Sequence, residues 1–148
     1  MRVEVATPDD APEIAALGLL LHASSSYAGI PYRSDKVEAL MRSLAGGAGV
    51  VFVVRVDGAI VGGIAGGVTE HWFSDELLGY EYSFFIRPDA SNAFAAIKLV
   101  TAFRIWCKAR GAKKLRMGIT TGIHEHNTGE FYRLIGFKDA GNLFQLEV

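Results

Sequence analysis

The sequence predicts a mixed α/β fold in which helices flank a largely antiparallel sheet. Three observations carry this expectation. First, two β-rich runs, VVFVVRV (50–56) and AIVGGIAGGV (59–68), flank the two-residue turn Asp57-Gly58, the pattern of a tight hairpin. Second, apolar residues recur at helical spacing in segments that begin and end with capping and breaking residues. Third, the elements follow one another as β-α-α-β-β-β-α-β-α-β with no linker, repeat or low-complexity tract, which suits one packed domain over residues 1–148.

RVEVA (2–6) alternates and predicts the first strand. Thr7 can cap a helix, Pro8 suits its first position, and Asp9 and Asp10 favour its positive end. Ile14, Leu17 and Leu21 then share one face, so the first helix is expected over about 8–23. The stretch 24–34 is a loop rich in serine and tyrosine. A second helix carries Val37, Leu40, Met41 and Leu44 on one face and ends at Gly46-Gly47. In the hairpin, the pairs Gly62-Gly63 and Gly66-Gly67 permit a bulge, a close backbone approach or tight packing beneath a helix.

LGYEYSFFI (78–86) predicts a further strand that stops at Arg87-Pro88. A helix over about 91–110 follows, with Ala96, Leu99, Val100, Phe103 and Cys107 as its buried stripe and Gly111 at its end. KLRMGITT (114–121) alternates Leu115, Met117 and Ile119 and predicts a strand. Asn127 followed by Glu130 reads as a capping box for a short helix stopped by Gly136. NLFQLEV (142–148) is expected to be the last strand.

Composition narrows the function classes. Half of the residues are apolar, 21% are charged and the formal charge is −1, so no net basic field draws nucleic acid or an anionic membrane. Lys113, Lys114 and Arg116 form a short cluster of the kind found at a solvated strand end. No apolar run reaches the length of about 18 residues that a membrane span needs, and no signal peptide is evident, so a cytoplasmic location is expected. Cys107 stands alone and cannot form an internal disulfide; its place on the apolar stripe marks it as a core residue.

Two segments, FFIRPDASNAFAAIKLV (84–100) and NTGEFYRLIGF (127–137), together with the element order, resemble the GNAT superfamily of acyl-coenzyme A-dependent N-acyltransferases. The resemblance implies a V-shaped splay between the strands 78–86 and 114–121. It implies acetyl-CoA as cosubstrate, its pantetheine arm bonded to the backbone of Phe84, Phe85 and Ile86. Its pyrophosphate would meet the turn Ser91, Asn92, Ala93, Phe94, Ala95 and Ala96, and Asn127 would either contact the arm or cap its helix. The family pattern at this turn is Arg/Gln-x-x-Gly-x-Gly/Ala. Ser91, Phe94 and Ala96 occupy the three marked positions, and Ala96 alone conforms. Backbone N–H groups at a helix start survive in any residue but proline, so the donors persist; the ring of Phe94 is the obstacle.

The same resemblance makes Tyr132 the candidate acid for the leaving thiolate. Glu81, a carboxylate between Tyr80 and Tyr82 in an aromatic strand, is costly there unless exposed or paired and is the candidate base. Glu70 and His71 are lesser candidates. His124 and His126 lack the third and fourth ligands of a metal site, so no metal is expected. Tyr27, Tyr32, Trp72 and Phe73 sit on loops that would flank the acceptor cleft. The expected reaction moves an acetyl group to a primary amine of a small molecule or peptide by direct attack, with no nucleic-acid or membrane partner. The alternatives are a catalytically inactive binding or interaction domain on the same fold, and a homodimeric scaffold joined through exposed aromatic residues.

Overall fold

The computed structural model describes residues 1–90, 93–119, 121–122 and 125–148. One sheet holds five strands in sequential order: β1 (Val3–Val5), β2 (Val50–Val56), β3 (Ala59–His71), β4 (Ser74–Ile86) and β5 (Lys114–Arg116). The first three pairings are antiparallel and the last, β4 with β5, is parallel. A parallel neighbour requires a long crossover. Helix α3 (Ala93–Ala109) supplies it. Helices α1 (Ala11–His22) and α2 (Ser34–Ser43) connect β1 to β2, and α4 (Glu125–Leu134) follows β5. Among the described residues no helix is long and apolar enough to cross a membrane.

Local chemistry accounts for the junctions. The Asp57-Gly58 hairpin has φ of 50° and 83° at its two turn residues, the left-handed pair that matches the twist of the flanking strands. A single 3₁₀ turn, Pro8–Asp10, leads into α1, and the Thr7 N–H donates to Asp10 Oδ2 at 2.9 Å. Asp10 also accepts from Arg55 at 2.6 Å, and Arg55 reaches Glu4 at 3.1 Å. One guanidinium therefore ties β1, the start of α1 and β2 together.

Alternation in β2 divides the core between the two faces of the sheet. Val51 and Val53 pack with Ile14, Leu17, Met41 and Leu44 beneath α1 and α2. Val50, Phe52 and Val54 pack with Leu99, Val100, Phe103 and Cys107 beneath α3. The buried positions of α3 include Ala95, not the expected Ala96, which places Ala95, Leu99 and Phe103 on one row four residues apart. Cys107 is a core residue whose thiol is pushed up to about 11 by burial, and a side chain at Gly79 would meet its sulfur at 2.7 Å.

Three further expectations are corrected. The hairpin strands β3 and β4 run longer than their sequence limits, because they pair with each other as far as His71 and Ser74. β5 is shorter, because only Lys114, Leu115 and Arg116 find partners on β4. Residues 142–148 alternate like a strand but lie exposed outside the sheet, since a strand forms only where a neighbouring backbone accepts its hydrogen bonds and no strand among the described residues pairs with them.

Gly66 is the tightest point of the sheet. A Cβ there would collide with the Tyr80 carbonyl oxygen and meet the Phe103 ring at 2.5 Å. The structure thus combines the close backbone approach and the packing beneath a helix that the glycine pair allowed. Gly66→Ala should destabilise the fold by about 1–3 kcal/mol, the usual cost of overpacking, seen as a lower urea midpoint with an unchanged slope. A midpoint equal to that of the parent chain would contradict this packing.

Candidate active site

β4 is the element that positions the site. Its pairing with β3 skips a residue: Ala65 faces Ser83 and Gly66 faces Glu81, so Tyr82 is the extra residue of a bulge. A bulge bends its strand and re-aims the side chains beside it. On the other edge, pairing with β5 ends at Tyr80–Arg116. From Glu81 to Ile86, no strand among the described residues pairs with that edge. The two strands therefore part at the bulge, leaving a gap bordered by the edge of β4 and by residues 117–119.

Two side chains meet on the far wall of this gap. The Gly118 N–H donates to Glu81 Oε1 at 3.1 Å. The Gly118 carbonyl accepts from the Tyr132 hydroxyl at 3.5 Å, a long and weak bond. Gly118 thus receives both residues that the sequence singled out for proton handling. Burial raises the pKa of the Glu81 carboxyl above its usual range, and the Gly118 N–H, which favours the anion, offsets part of that rise. Burial also raises the Tyr132 phenol, and the negative charge of Glu81 raises it further.

Tyr132 owes its position to α4. The rings of Phe131 and Tyr132 lie 6.5 and 6.4 Å from that of Phe84 on β4. Gly136, at φ 104°, turns the chain so that Phe137 returns to Tyr132 at 5.3 Å, and the Phe137 N–H donates to the Tyr132 carbonyl at 2.9 Å. Beside Gly118, residues Ile119, His126, Gly129 and Arg133 line an open cleft of about 520 Å³. The Ser26 N–H donates to the Thr121 carbonyl at 2.6 Å, which fastens the α1–α2 loop to the segment after β5.

The remaining sequence-predicted residues divide into groups. Phe84 and Ile86 pack on the α3 side of the sheet and Phe85 on the α1–α2 side, so their side chains serve the core while their backbone borders the gap. Ser91 and Asn92 lie outside the described residues. Ala93 opens α3, Ala95 is buried and Ala96 is partly buried. Phe94, on the first turn, is 77% exposed, so its ring does not enter the core. Asn127 lies inside α4, which begins at Glu125, and is not in the capping position that Asn127 and Glu130 predicted; the helix starts two residues earlier.

Other candidates stand apart from Gly118. His71 lies near Glu76 at 3.8 Å and against the Phe73 ring, while Trp72, 96% exposed, and Phe73 form the tip of the β3–β4 hairpin. That tip is roughly 25 Å along β4 from Glu81, so Trp72 and Phe73 stand away from the gap, while Glu70 pairs opposite Leu77 on the same hairpin. The Tyr32 hydroxyl is donated to the Ala15 carbonyl at 2.8 Å, and Tyr27 and Tyr32 line a separate open cleft of about 370 Å³ beside α2. His126 is exposed on α4, and His124 lies outside the described residues. Among the described residues no three His, Cys, Asp or Glu side chains gather as metal ligands would. Gly118 itself was missed: it contributes only main-chain groups, and its one sequence signal is a glycine inside a strand pattern.

Comparison with known proteins places these features in context. The sequence model of the family described as Acetyltransferase (GNAT) domain matches residues 1–120. A search among curated proteins finds no match. An aminoglycoside acetyltransferase from an uncultured soil metagenomic sample superposes with a TM-score of 0.73 at 19% identity, covering 100% of this chain and 99% of its own. Ribosomal-protein-alanine N-acetyltransferase from Brucella melitensis biovar Abortus 2308 gives 0.72 at 18% identity, with 100% of both chains covered. AAC(6')-Iy in complex with the bisubstrate analog CoA-S-monomethyl-acetylneamine gives 0.73 at 12% identity, covering 99% of this chain and 97% of that one. At these identities the likeness is one of fold.

The raised Glu81 carboxyl has a pH consequence. It holds its proton more tightly folded than unfolded, so its contribution to stability falls as pH rises from about 4.3, the unfolded value, through the higher folded value. Glu81→Gln keeps an acceptor for the Gly118 N–H and removes the charge. Its stability relative to the parent chain, from urea unfolding between about pH 4 and 8, should therefore improve across that window and then level off. A relative stability that worsens with rising pH would reverse the assigned direction.

Proposed function

The chain belongs to the GNAT acetyltransferase family, and we propose that it moves an acetyl group from acetyl-CoA to a primary amine of a small molecule or peptide by direct attack. The observation that carries this reading is the gap between β4 and β5, with Glu81 and Tyr132 converging on Gly118 at its far wall. The gap fits an elongated thioester arm because the β4 edge beyond Tyr80 has backbone groups with no neighbouring strand. In this reading the main chain of Phe84, Phe85 and Ile86 binds the arm. The opening N–H groups of α3 at Ala93, Phe94, Ala95 and Ala96, with Ser91 and Asn92 before them, hold the anionic end, and Asn127 on α4 faces the coenzyme. When bound, acetyl-CoA supplies an acetyl carbon activated as a thioester.

The residues of the chain divide the proton chemistry. An alkyl amine is mostly protonated at neutral pH, with a pKa of about 10.4 in water, so the acceptor must lose a proton before it attacks. Glu81 takes that proton, directly or through water; a carboxylate whose pKa is raised is a stronger base than an exposed one. Tyr132 holds its proton before reaction, since burial and the charge of Glu81 both oppose ionisation, gives it to the departing sulfur as the carbon–sulfur bond breaks, and regains one from solvent. The two groups are thus pushed toward opposite duties by one shared environment.

The acceptor classes named among the structural neighbours are aminoglycosides and a ribosomal-protein alanine. Both are amines, and they support the coarse acceptor class proposed for this chain. The rival reading is a binding domain on the same fold that does not turn over. It draws support from Phe94, whose exposed ring stands on the first turn of α3 where a smaller residue would leave the mouth clear.

Acetyl-CoA at about 100 times its dissociation constant should stabilise the chain by ~2.7 kcal/mol, read as a rise in melting temperature. Release of free thiol with a panel of amines should follow. No thermal shift at millimolar coenzyme removes the proposal, and a shift without thiol release on any amine favours the rival. Tyr132→Phe should lower kcat by about 10², the lower range for a general acid, while coenzyme affinity stays within about threefold. An unchanged kcat would remove Tyr132 from the chemistry.

A further inference from the structure

The last paired residues before the gap carry a distinct set of side chains on the sheet face turned away from α3. A Cβ at Gly66 would meet the Phe103 ring of α3, so its neighbour Gly67 faces α1 and α2. A Cβ at Gly67 would meet the hydroxyl of Tyr80, its cross-strand partner, at 2.8 Å, which sets the Tyr80 ring on that face. The Tyr82 ring, beside the bulge, stands edge-on to Tyr80 at 5.3 Å between centroids and is 54% exposed. On β5, Leu115 packs on the α3 side, so Lys114 and Arg116 point to the α1–α2 side. Arg116 is the register partner of Tyr80, at the last pair before the strands part, and both cations are exposed.

Charge on this face is unbalanced. Neither Lys114 nor Arg116 joins an ion pair among the described residues, while both acids of α2 are already engaged, Asp35 by Arg33 and Glu38 by Arg42. Glu81 stands in the gap itself and reaches Gly118. Arg116 precedes Gly118 by two residues, at most about 7 Å of chain, so its guanidinium comes within reach of a small molecule whose amine lies at Glu81. Helices α3 and α4 cover the other face, so a coenzyme seated at the start of α3 leaves the α1–α2 face open to the acceptor. Two cations set against the single charge of Glu81 leave room for one further negative charge. A guanidinium fork matches the two oxygens of a carboxylate, and a tyrosine pair offers apolar surface with polar tips.

We propose that the acceptor amine of this chain also carries a carboxylate, which Arg116 holds with support from Lys114, while the Tyr80–Tyr82 pair receives the apolar body between the two groups. This inference rests on the acetyl-transfer reading and narrows its acceptor. The two cations offset the repulsion that Glu81 alone would exert on such a molecule. An aminoglycoside, which bears several ammonium groups, would meet Lys114 and Arg116 as like charges, so this face discriminates against that class.

The test measures binding apart from turnover, by calorimetry on the full chain with coenzyme A in place of acetyl-CoA. It is repeated without coenzyme, so a chain that fails to bind coenzyme still reports its preference. Three probes share one ring and one aminomethyl group: para-aminomethylbenzoate, the amide para-aminomethylbenzamide and the diamine para-xylylenediamine. The benzoate should bind at least about tenfold tighter than the amide, and the diamine most weakly. Arg116→Gln should bring the benzoate to within about threefold of the amide and leave the amide unmoved, which shows that the site is still folded. Arg116→Glu should place the diamine ahead of the benzoate, and Tyr82→Ala should weaken all three alike. Equal affinity for benzoate and amide overturns the proposal, as does a preference that survives Arg116→Gln, unchanged affinities in Tyr82→Ala, or no binding of the benzoate at millimolar concentration. Failure of the acetyl-transfer reading shows elsewhere, as no thermal shift with acetyl-CoA and no thiol release, because no acetyl group takes part in these affinities.

Discussion

The early end of pairing between β4 and β5 is the constraint on which the site depends. After Tyr80 and Arg116 the two backbones separate, and the groups that would have bonded each other need other partners. Glu81 and Tyr132 answer for Gly118, one at its N–H and one at its carbonyl. The bulge at Tyr82 lies directly beside this point, so the strand bends where its neighbour departs. Behind it, the rings of Phe84, Phe131, Tyr132 and Phe137 make a continuous apolar wall that fixes α4 against β4. The arrangement turns a defect in a sheet into a walled opening.

Rigidity and variability are kept in different parts of the molecule. The valines of β2 and the apolar rows of α1 and α3 clamp the sheet from both faces, and Arg55 fastens its first strands to the start of α1. The walls of the gap inherit that stiffness. One loop reaches the segment after β5, where the main chain of Ser26 holds that of Thr121. Membership of the GNAT family accords with this division, since an opening built from backbone and two side chains leaves the loops to choose what approaches it.

Elements whose signal is local were legible in the sequence. Asp57-Gly58 specified its turn because few residue pairs accept two positive φ angles, and the apolar spacing of α1, α2 and α3 marked their buried faces. Glu81 was visible because a carboxylate amid aromatic residues demands an explanation, and Tyr132 through the resemblance of its segment. Pairing was less legible. Alternation in 142–148 and in 117–119 states a capacity to form a strand, whereas a strand also needs an adjacent backbone, which lies far away along the chain. The start of α4 was misjudged because Asn127 has the chemistry of a cap, while the helix had already begun at Glu125. Gly118 was nearly invisible, since main-chain groups leave no residue type to recognise.

The crowding at Gly66 reaches beyond its own strand. A Cβ at this position would stand between the Tyr80 carbonyl and the ring of Phe103, 3.0 Å from the Glu81 Cα. Any chain that drifts from this one and acquires a methyl group at this place must surrender ring volume on the crossover helix or relocate the bend in β4. The second choice would rotate Glu81 away from Gly118. Positions 66, 80 and 103 are therefore expected to vary in concert during divergence, a coevolving trio in which a residue without a side chain preserves the aim of a carboxylate that it never bonds.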